Sequence, residues 1–282
     1  MRASLAAMPP RVWAPPKKRV RKPLPPLRYP YGEEQVYAQE LLGIAKECEK
    51  IVSEQLITRL PSLMRRGERA LTPARGRRTD SFDDDLRRLL TQLGRLLRVP
   101  VGQARRIAMR MLDSVNIQHA NEFAASYADV LSLNPLIGKE KWFLDAFGVS
   151  LNENVRLIQS IPEQLHASVE ALVTNAVLSG KRAEDLATEI VARFSVTESR
   201  AALIAQDQVG RWFGSLQKLR QQDAGIESYE WSTSSDERVR ASHRAREGKT
   251  YRWDQPPSGG NHPGLEIRCR CVAIPNVPHW EG

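Results

Sequence analysis

The sequence predicts an α+β protein that has a mainly helical body and a small C-terminal module of short strands and one short helix. From about residue 33 to 223, apolar residues recur at helical spacing over long segments, which is the pattern of amphipathic helices. After residue 224 the segments become short and rich in aromatic residues, Gly, Pro and His, which favours strands joined by turns. The length of 282 residues suits one large domain or two modest ones.

The first element, residues 1–30, is basic and rich in proline. It contains eight Lys and Arg residues and no acidic residue, whereas the net charge of the whole chain is +9, so the rest of the chain is close to neutral. Proline at this density opposes helix and sheet, and we expect a flexible, extended arm. A cation that neutralises a phosphate releases counterions, which predicts DNA binding; a solubilising terminus is the alternative. The candidate DNA-binding residues are Lys17, Lys18, Arg19, Arg21 and Lys22.

The helical body follows, and it is expected to divide into two parts before the module. Residues 31–158 are predicted to form an N-terminal helical region, and residues 159–223 a helical segment that leads into the module at 224–282. Ser160-Ile161-Pro162-Glu163 and Ser195-Val196-Thr197-Glu198 have the pattern of a capping box. They predict that new helices begin near Ser160 and Ser195.

The C-terminal module is predicted to contain three strands and a short helix. The strands are expected near 226–231, 249–253 and 265–274, and the helix near 234–246. Pro263-Gly264 has the residues of a type II turn and precedes the third strand. Side chains alternate along a strand, so Cys269 and Cys271 are expected to face a common partner from one side.

Four side chains of the module are candidate metal ligands, namely His243, His262, Cys269 and Cys271. Two His and two Cys suit tetrahedral zinc, which predicts a structural Zn site. Their spacing is not that of a zinc finger, so unligated thiols beside a buried, hydrogen-bonded His243 are the alternative. Three cysteines in the whole chain are too few for a secreted disulfide framework.

Several motifs follow one another through the module. They are Trp231-Ser232-Thr233, Asp236-Glu237-Arg238-Val239-Arg240, His243, Gly248, Pro256-Pro257, Pro263-Gly264 and Cys269-Arg270-Cys271. In this order they resemble the phage Mu F-like family of minor head, or head morphogenesis, proteins of tailed phages and prophages. The resemblance extends upstream and covers roughly residues 160–275.

The resemblance implies a minor capsid protein that acts in virion assembly or DNA delivery and is not an enzyme. It implies a location in the virion head, either inside the procapsid or capsid or at the portal vertex, and in the host cytoplasm during assembly. The implied partners are the portal protein, other capsid or scaffold proteins, and packaged double-stranded DNA. No apolar run approaches the ~20 residues that cross a bilayer, so no membrane partner is expected.

A second class of function starts from His243 as a general base. Asp236, Arg238 or Arg240 could stabilise a phosphate beside it, which would make the module a metal- or His-dependent nuclease or a toxin-like domain. The sequence shows no second acid–base residue at a spacing from His243 that is typical of a nuclease. A third interpretation is architectural, in which the motif residues pack the core and set the turns of a module with little core of its own.

Overall fold

A computed structural model describes residues 24–71, 79–131 and 141–277. Its helical elements are α1 (Tyr31–Gln55), a 3-10 turn (Ile57–Arg59), α2 (Leu60–Leu71), α3 (Thr79–Leu96), α4 (Val101–Leu131), α5 (Lys141–Ser179), α6 (Ala183–Asp223) and α7 (Ala241–Arg244). Its strands are β1 (Ser228–Ser232), β2 (Thr250–Arg252) and β3 (Val272–Asn276). The predicted α+β class, a helical body with a small module of short strands, is confirmed.

Helices α5 and α6 are longer than the sequence predicts. Ser160 and Ser195 lie inside continuous helices, so the predicted helix starts at these residues are wrong. The Ser160 hydroxyl donates to the Leu157 carbonyl at 2.7 Å, and the Ser195 hydroxyl donates to the Ala192 carbonyl at 3.2 Å. These hydroxyls therefore bond back to the preceding turn instead of capping a new N-terminus.

The described chain forms two compact units. Unit 1 comprises the described residues within 24–31, 112–148 and 207–277, and unit 2 comprises those within 32–111 and 149–206. Each unit is built from separated stretches because α4, α5 and α6 each contribute to both. The structure therefore departs from the linear division predicted after residue 158, a position inside α5.

The core of unit 2 contains a buried polar contact between distant helices. The Tyr37 hydroxyl of α1 donates to Oδ1 of Asn154 in α5 at 2.8 Å, and both residues are buried. A buried amide oxygen without a donor would be costly, so this bond fixes the pairing of the two side chains.

The helical part of unit 1 is organised around α4 and α6. The buried Trp212 donates from its indole Nε1 to the Leu112 carbonyl at 2.9 Å. Arg220 is also buried, and its guanidinium donates to Nδ1 of His119 at 2.6 Å and to Oδ1 of Asn116. Burial and the Arg220 charge hold the pKa of His119 well below its ordinary value, so the ring is neutral and accepts the bond.

Residues 24–30, predicted as the end of the flexible arm, are packed in unit 1. Leu24, Leu27 and Tyr29 are buried, and the Tyr127 hydroxyl donates to the Pro25 carbonyl at 2.8 Å. The prediction of a flexible arm is wrong for this stretch, because its apolar side chains are buried in unit 1. The candidate DNA-binding residues, Lys17, Lys18, Arg19, Arg21 and Lys22, lie outside the described residues, and their role stays a prediction.

The module has an antiparallel sheet in the order β2-β1-β3. Tyr229 of β1 pairs with Tyr251 of β2, and Trp231 of β1 pairs with Ala273 of β3. Three strands are confirmed, with bounds that differ from those predicted: β2 is shorter, β1 is shifted toward its C-terminal end, and β3 begins only at Val272 and runs past the predicted end at residue 274. The predicted helix is reduced to α7. Its small core consists of Tyr229, Trp231, Trp253, Cys269, Cys271 and Ala273.

Candidate functional site

His243 of α7 is the centre of a buried cluster. Its Nδ1 lies 3.6 Å from Sγ of Cys269 and 3.5 Å from Sγ of Cys271, and the side chain is almost fully enclosed. Both cysteines are buried and neither is in a disulfide. The ligand atoms of these three residues all lie within 4.8 Å of one another, so the structure brings together three of the four predicted metal ligands.

The fourth predicted ligand, His262, lies elsewhere in the module. Its Nδ1 is 2.9 Å from the Tyr229 hydroxyl, and its ring packs on Trp253 with the ring centroids 5.0 Å apart. Burial, helped by the Lys218 charge, lowers the pKa of His262 to about 4. His262 is therefore a neutral core residue, and the predicted ligand set is corrected to three.

The second ring nitrogen of His243 contacts a residue that the sequence did not reveal. Nε2 lies 2.9 Å from Oε2 of Glu266. The Glu266 carboxylate also accepts hydrogen bonds from Arg240 at 3.4 Å, from Arg246 at 3.5 Å and from the Asn261 N–H at 3.3 Å. Glu266 lies outside the recognised motifs, and the fold alone joins it to His243 across 23 positions of sequence.

The surroundings of the cluster favour a thiolate at one of its two sulfurs, that of Cys269. Hydrogen bonds with Cys271, His243 and the Gly264 N–H lower the pKa of Cys269, although burial opposes this. The hydrogen bond with Cys269 and burial raise the pKa of Cys271. Contacts with Cys269 and Glu266 raise the pKa of His243 despite its burial. Because the two sulfurs are so close, both can be thiolates together only when further positive charge lies between them.

The surroundings of His243 do not suit a general base acting on a phosphodiester. Both ring nitrogens already have partners inside the module. The Asp236 carboxylate accepts the Arg238 N–H at 2.9 Å and lies 3.6 Å from the Arg270 guanidinium. Arg240 donates to Glu266 and to a backbone carbonyl. The arrangement therefore favours a packed core or a metal site over phosphate chemistry at this histidine.

One face of α6 contacts the module through polar side chains. The sequence analysis did not predict this face, because it considered only the apolar residues of the helix. The Gln221 side chain donates to the Ala273 carbonyl at 2.8 Å and accepts the Trp253 indole N–H at 3.1 Å. The Gln217 side chain accepts the Ala273 N–H at 3.1 Å. Together the two glutamines satisfy backbone groups of β3 and fix the sheet to the helix.

Two glycines complete this face of α6 by allowing the Pro263-Gly264 turn to approach. A Cβ on Gly214 would lie 2.6 Å from the Pro263 carbonyl oxygen and 3.0 Å from Cα of Gly264. A Cβ on Gly210 would lie 3.0 Å from the Cys269 carbonyl oxygen. Positions 210, 214, 217 and 221 have the spacing of one helix face. This spacing of glycine and glutamine residues is the sequence signal that could have predicted the contact.

Comparison with known proteins identifies the part of the chain that contains this site. Residues 167–274 match the family described as Phage Mu protein F like protein. The resemblance read from the motifs is therefore confirmed for this segment, which includes α6 and most of the module.

A relative that is itself uncharacterized matches part of this chain. An uncharacterized protein of Haemophilus influenzae is 40% identical over 128 residues, which cover 45% of this chain and 29% of the relative. The matched part of this chain therefore spans less than a third of that relative. No solved structure matches this chain. In the described residues, no helix is long and apolar enough to cross a membrane.

Proposed function

We propose that this protein is a minor capsid protein of a tailed phage or prophage, which docks on the portal or on other capsid and scaffold proteins and contacts packaged double-stranded DNA. The family match over residues 167–274 carries the proposal. A head morphogenesis protein acts among other capsid proteins and is located in the virion head. We expect the protein to act during head assembly or during DNA delivery.

The charge distribution supports contact with DNA through the arm. Residues 1–23 hold seven Lys and Arg residues and no acidic residue, while Leu24, Leu27 and Tyr29 are buried in unit 1. The cationic stretch thus ends where the packed segment begins. Each arm cation that neutralises a phosphate adds about 0.9 to the slope of log affinity against log salt.

The structure shows where the arm should be cut to test this. Deletion of residues 1–23 leaves the buried side chains of 24–30 in place, whereas deletion of 1–30 would also expose the surface they cover. Fluorescence anisotropy of the full chain and the 1–23 deletion on a DNA duplex, across a salt series, should show weaker binding and a shallower slope for the deletion. A full-length variant with Lys17, Lys18, Arg19, Arg21 and Lys22 all changed to Gln is the matched control for length. Equal affinity and equal slope in all three proteins would refute DNA contact by the arm.

Docking is tested separately in assembled particles. Purified heads of the phage or induced prophage should contain this chain, and the tagged full chain should capture the portal protein from an infected lysate. Absence from purified heads would overturn the assignment to the capsid. Presence in heads without capture of the portal would place its contact on another capsid or scaffold protein.

We also propose that the protein is not an enzyme. The enclosure of His243 by Cys269, Cys271 and Glu266 supports this, because a general base needs a free ring nitrogen within reach of substrate. Incubation of the full chain with DNA or RNA and Mg²⁺, Mn²⁺ or Zn²⁺ should leave the nucleic acid intact. Cleavage that disappears in His243→Ala and persists in His262→Ala would refute the proposal.

A further inference from the structure

The three ligand atoms of the cluster have the separation that a tetrahedral zinc ion requires. With Zn–N of about 2.05 Å, Zn–S of about 2.3 Å and tetrahedral angles, the nitrogen and each sulfur should lie about 3.6 Å apart. The distances from Nδ1 of His243 to the two sulfurs are 3.6 and 3.5 Å. Both nitrogen-to-sulfur distances therefore match those of a tetrahedral zinc site.

The proton positions around His243 also suit metal binding. When Nε2 carries its proton toward Glu266, Nδ1 of the neutral ring presents a lone pair toward both sulfurs. A single Nδ1–H could point directly at one sulfur, yet the two sulfurs lie at nearly equal distances from it. A carboxylate on the far nitrogen of a ligating histidine is the usual arrangement at protein zinc sites.

The groups around the sulfurs favour thiolates. The Gly264 N–H points at Sγ of Cys269 at 3.4 Å. The Trp231 indole N–H is buried and forms no hydrogen bond with another described residue. Donors directed at sulfur stabilise negative charge there, and a divalent cation supplies the positive charge that two adjacent thiolates need.

We propose that Nδ1 of His243 and the sulfurs of Cys269 and Cys271 bind one Zn²⁺ ion, with Glu266 as the positioning residue that orients His243. Thiolate and imidazole ligands select zinc among the common divalent metals. These residues supply three of the four tetrahedral positions. The ion joins α7 to the segment before β3 in a module whose own core is small, which is the situation in which a metal stabilises a fold. The proposal does not depend on the phage function.

Metal content of the full chain is the first test. Protein purified without chelator should contain about one zinc per chain by elemental mass spectrometry. Cys269→Ser and Cys271→Ser should each lose most of it. Cys48→Ser and His262→Gln are the matched controls, since Cys48 is a buried cysteine of α1 and His262 is a buried histidine outside the cluster; both should keep their zinc. Equal zinc in all four variants, or iron in place of zinc, would overturn the assignment.

Cobalt substitution tests the ligands even if the cysteine variants fail to fold. The metal-free full chain should bind one Co²⁺ and develop the intense thiolate-to-cobalt charge-transfer absorption and the visible bands of a tetrahedral site. Added Zn²⁺ should abolish these bands. A weak, octahedral spectrum without charge transfer would show that the cysteines are not ligands.

Glu266→Gln tests the positioning role. It should keep the tetrahedral cobalt spectrum and the stoichiometry, while its affinity for Zn²⁺ falls about 10- to 100-fold. Glu227→Gln is the control, because Glu227 is an exposed acid of the same module that pairs with Arg252. Unchanged affinity in Glu266→Gln, or an equal loss in Glu227→Gln, would refute the positioning role.

Discussion

The close approach of the Pro263-Gly264 turn makes Gly214 a sharp test of how α6 holds the module. Gly214→Ala would put a Cβ 2.6 Å from the Pro263 carbonyl oxygen, whereas ordinary contacts begin at 3.4 Å. The turn would have to retreat by about 0.8 Å. It cannot do so by a change of rotamer, since the facing atoms are backbone and Gly264 holds a φ of 81°.

Two opposing terms set the size of the effect. Alanine in place of glycine favours a helix by about 1 kcal/mol, while forcing a group into a packed site costs about 1–3 kcal/mol. Because the overlap is with backbone, we take the upper part of that range. Gly214→Ala should therefore lower the free energy of unfolding by about 1–2 kcal/mol.

Gly148→Ala is the matched control. Gly148 also lies in a helix that contributes to unit 1, and a Cβ there would meet no atom within 4 Å. The same substitution should raise stability by about 0.5–1 kcal/mol. Thermal unfolding followed by far-UV circular dichroism should thus give melting temperatures displaced in opposite directions. A Gly214→Ala protein as stable as Gly148→Ala would show that the turn does not rest on α6 as described.

Other predictions address single contacts. Gln221→Leu leaves a strand carbonyl and an indole N–H unpaired, so it should lower the free energy of unfolding in urea by about 2–3 kcal/mol. The control, Gln222→Leu at an exposed position, should change it little. Equal effects of the two substitutions would refute the role of the amide. Tyr37→Phe deprives Asn154 of its buried donor and should cost about 1–3 kcal/mol; an unchanged urea midpoint would count against that bond. Burial lowers the pKa of His262 to about 4, so below pH 6.5 the unfolded chain binds more protons. Stability should fall by up to about 2 kcal/mol between pH 7 and 5, and a profile equally steep in His262→Gln would contradict this.

The approach of Cys269 and Cys271 to one partner could be predicted from sequence, although for a reason that the structure revises. The alternation of strand side chains predicted a shared face, but β3 begins at Val272 and neither cysteine lies in a strand. Their common direction follows from the packing of the segment before β3 against His243. The sequence did correctly predict that this segment follows the two aromatic strands and the Pro263-Gly264 turn.

The contacts missed by sequence reasoning are polar and distant. Gln217 and Gln221 look like solvated positions of a long helix, because an apolar stripe is the usual sign of a buried face. Glu266 looks like an ordinary charged loop residue, yet it joins His243 to two arginines. The capping-box patterns at Ser160 and Ser195 failed for a related reason, since each helix continues through a local signal for a helix start.

The composition of unit 1 has a mechanical consequence. The packed segment 24–30 and the last strand, β3, both belong to this unit, so a tether at either end of the described chain pulls on the same unit. Antiparallel pairing of β1 with β3 over five residue pairs, and the amide bonds from α6 to Ala273, resist such a load at the C-terminal end. A load between the two ends of the described chain would therefore act first within unit 1.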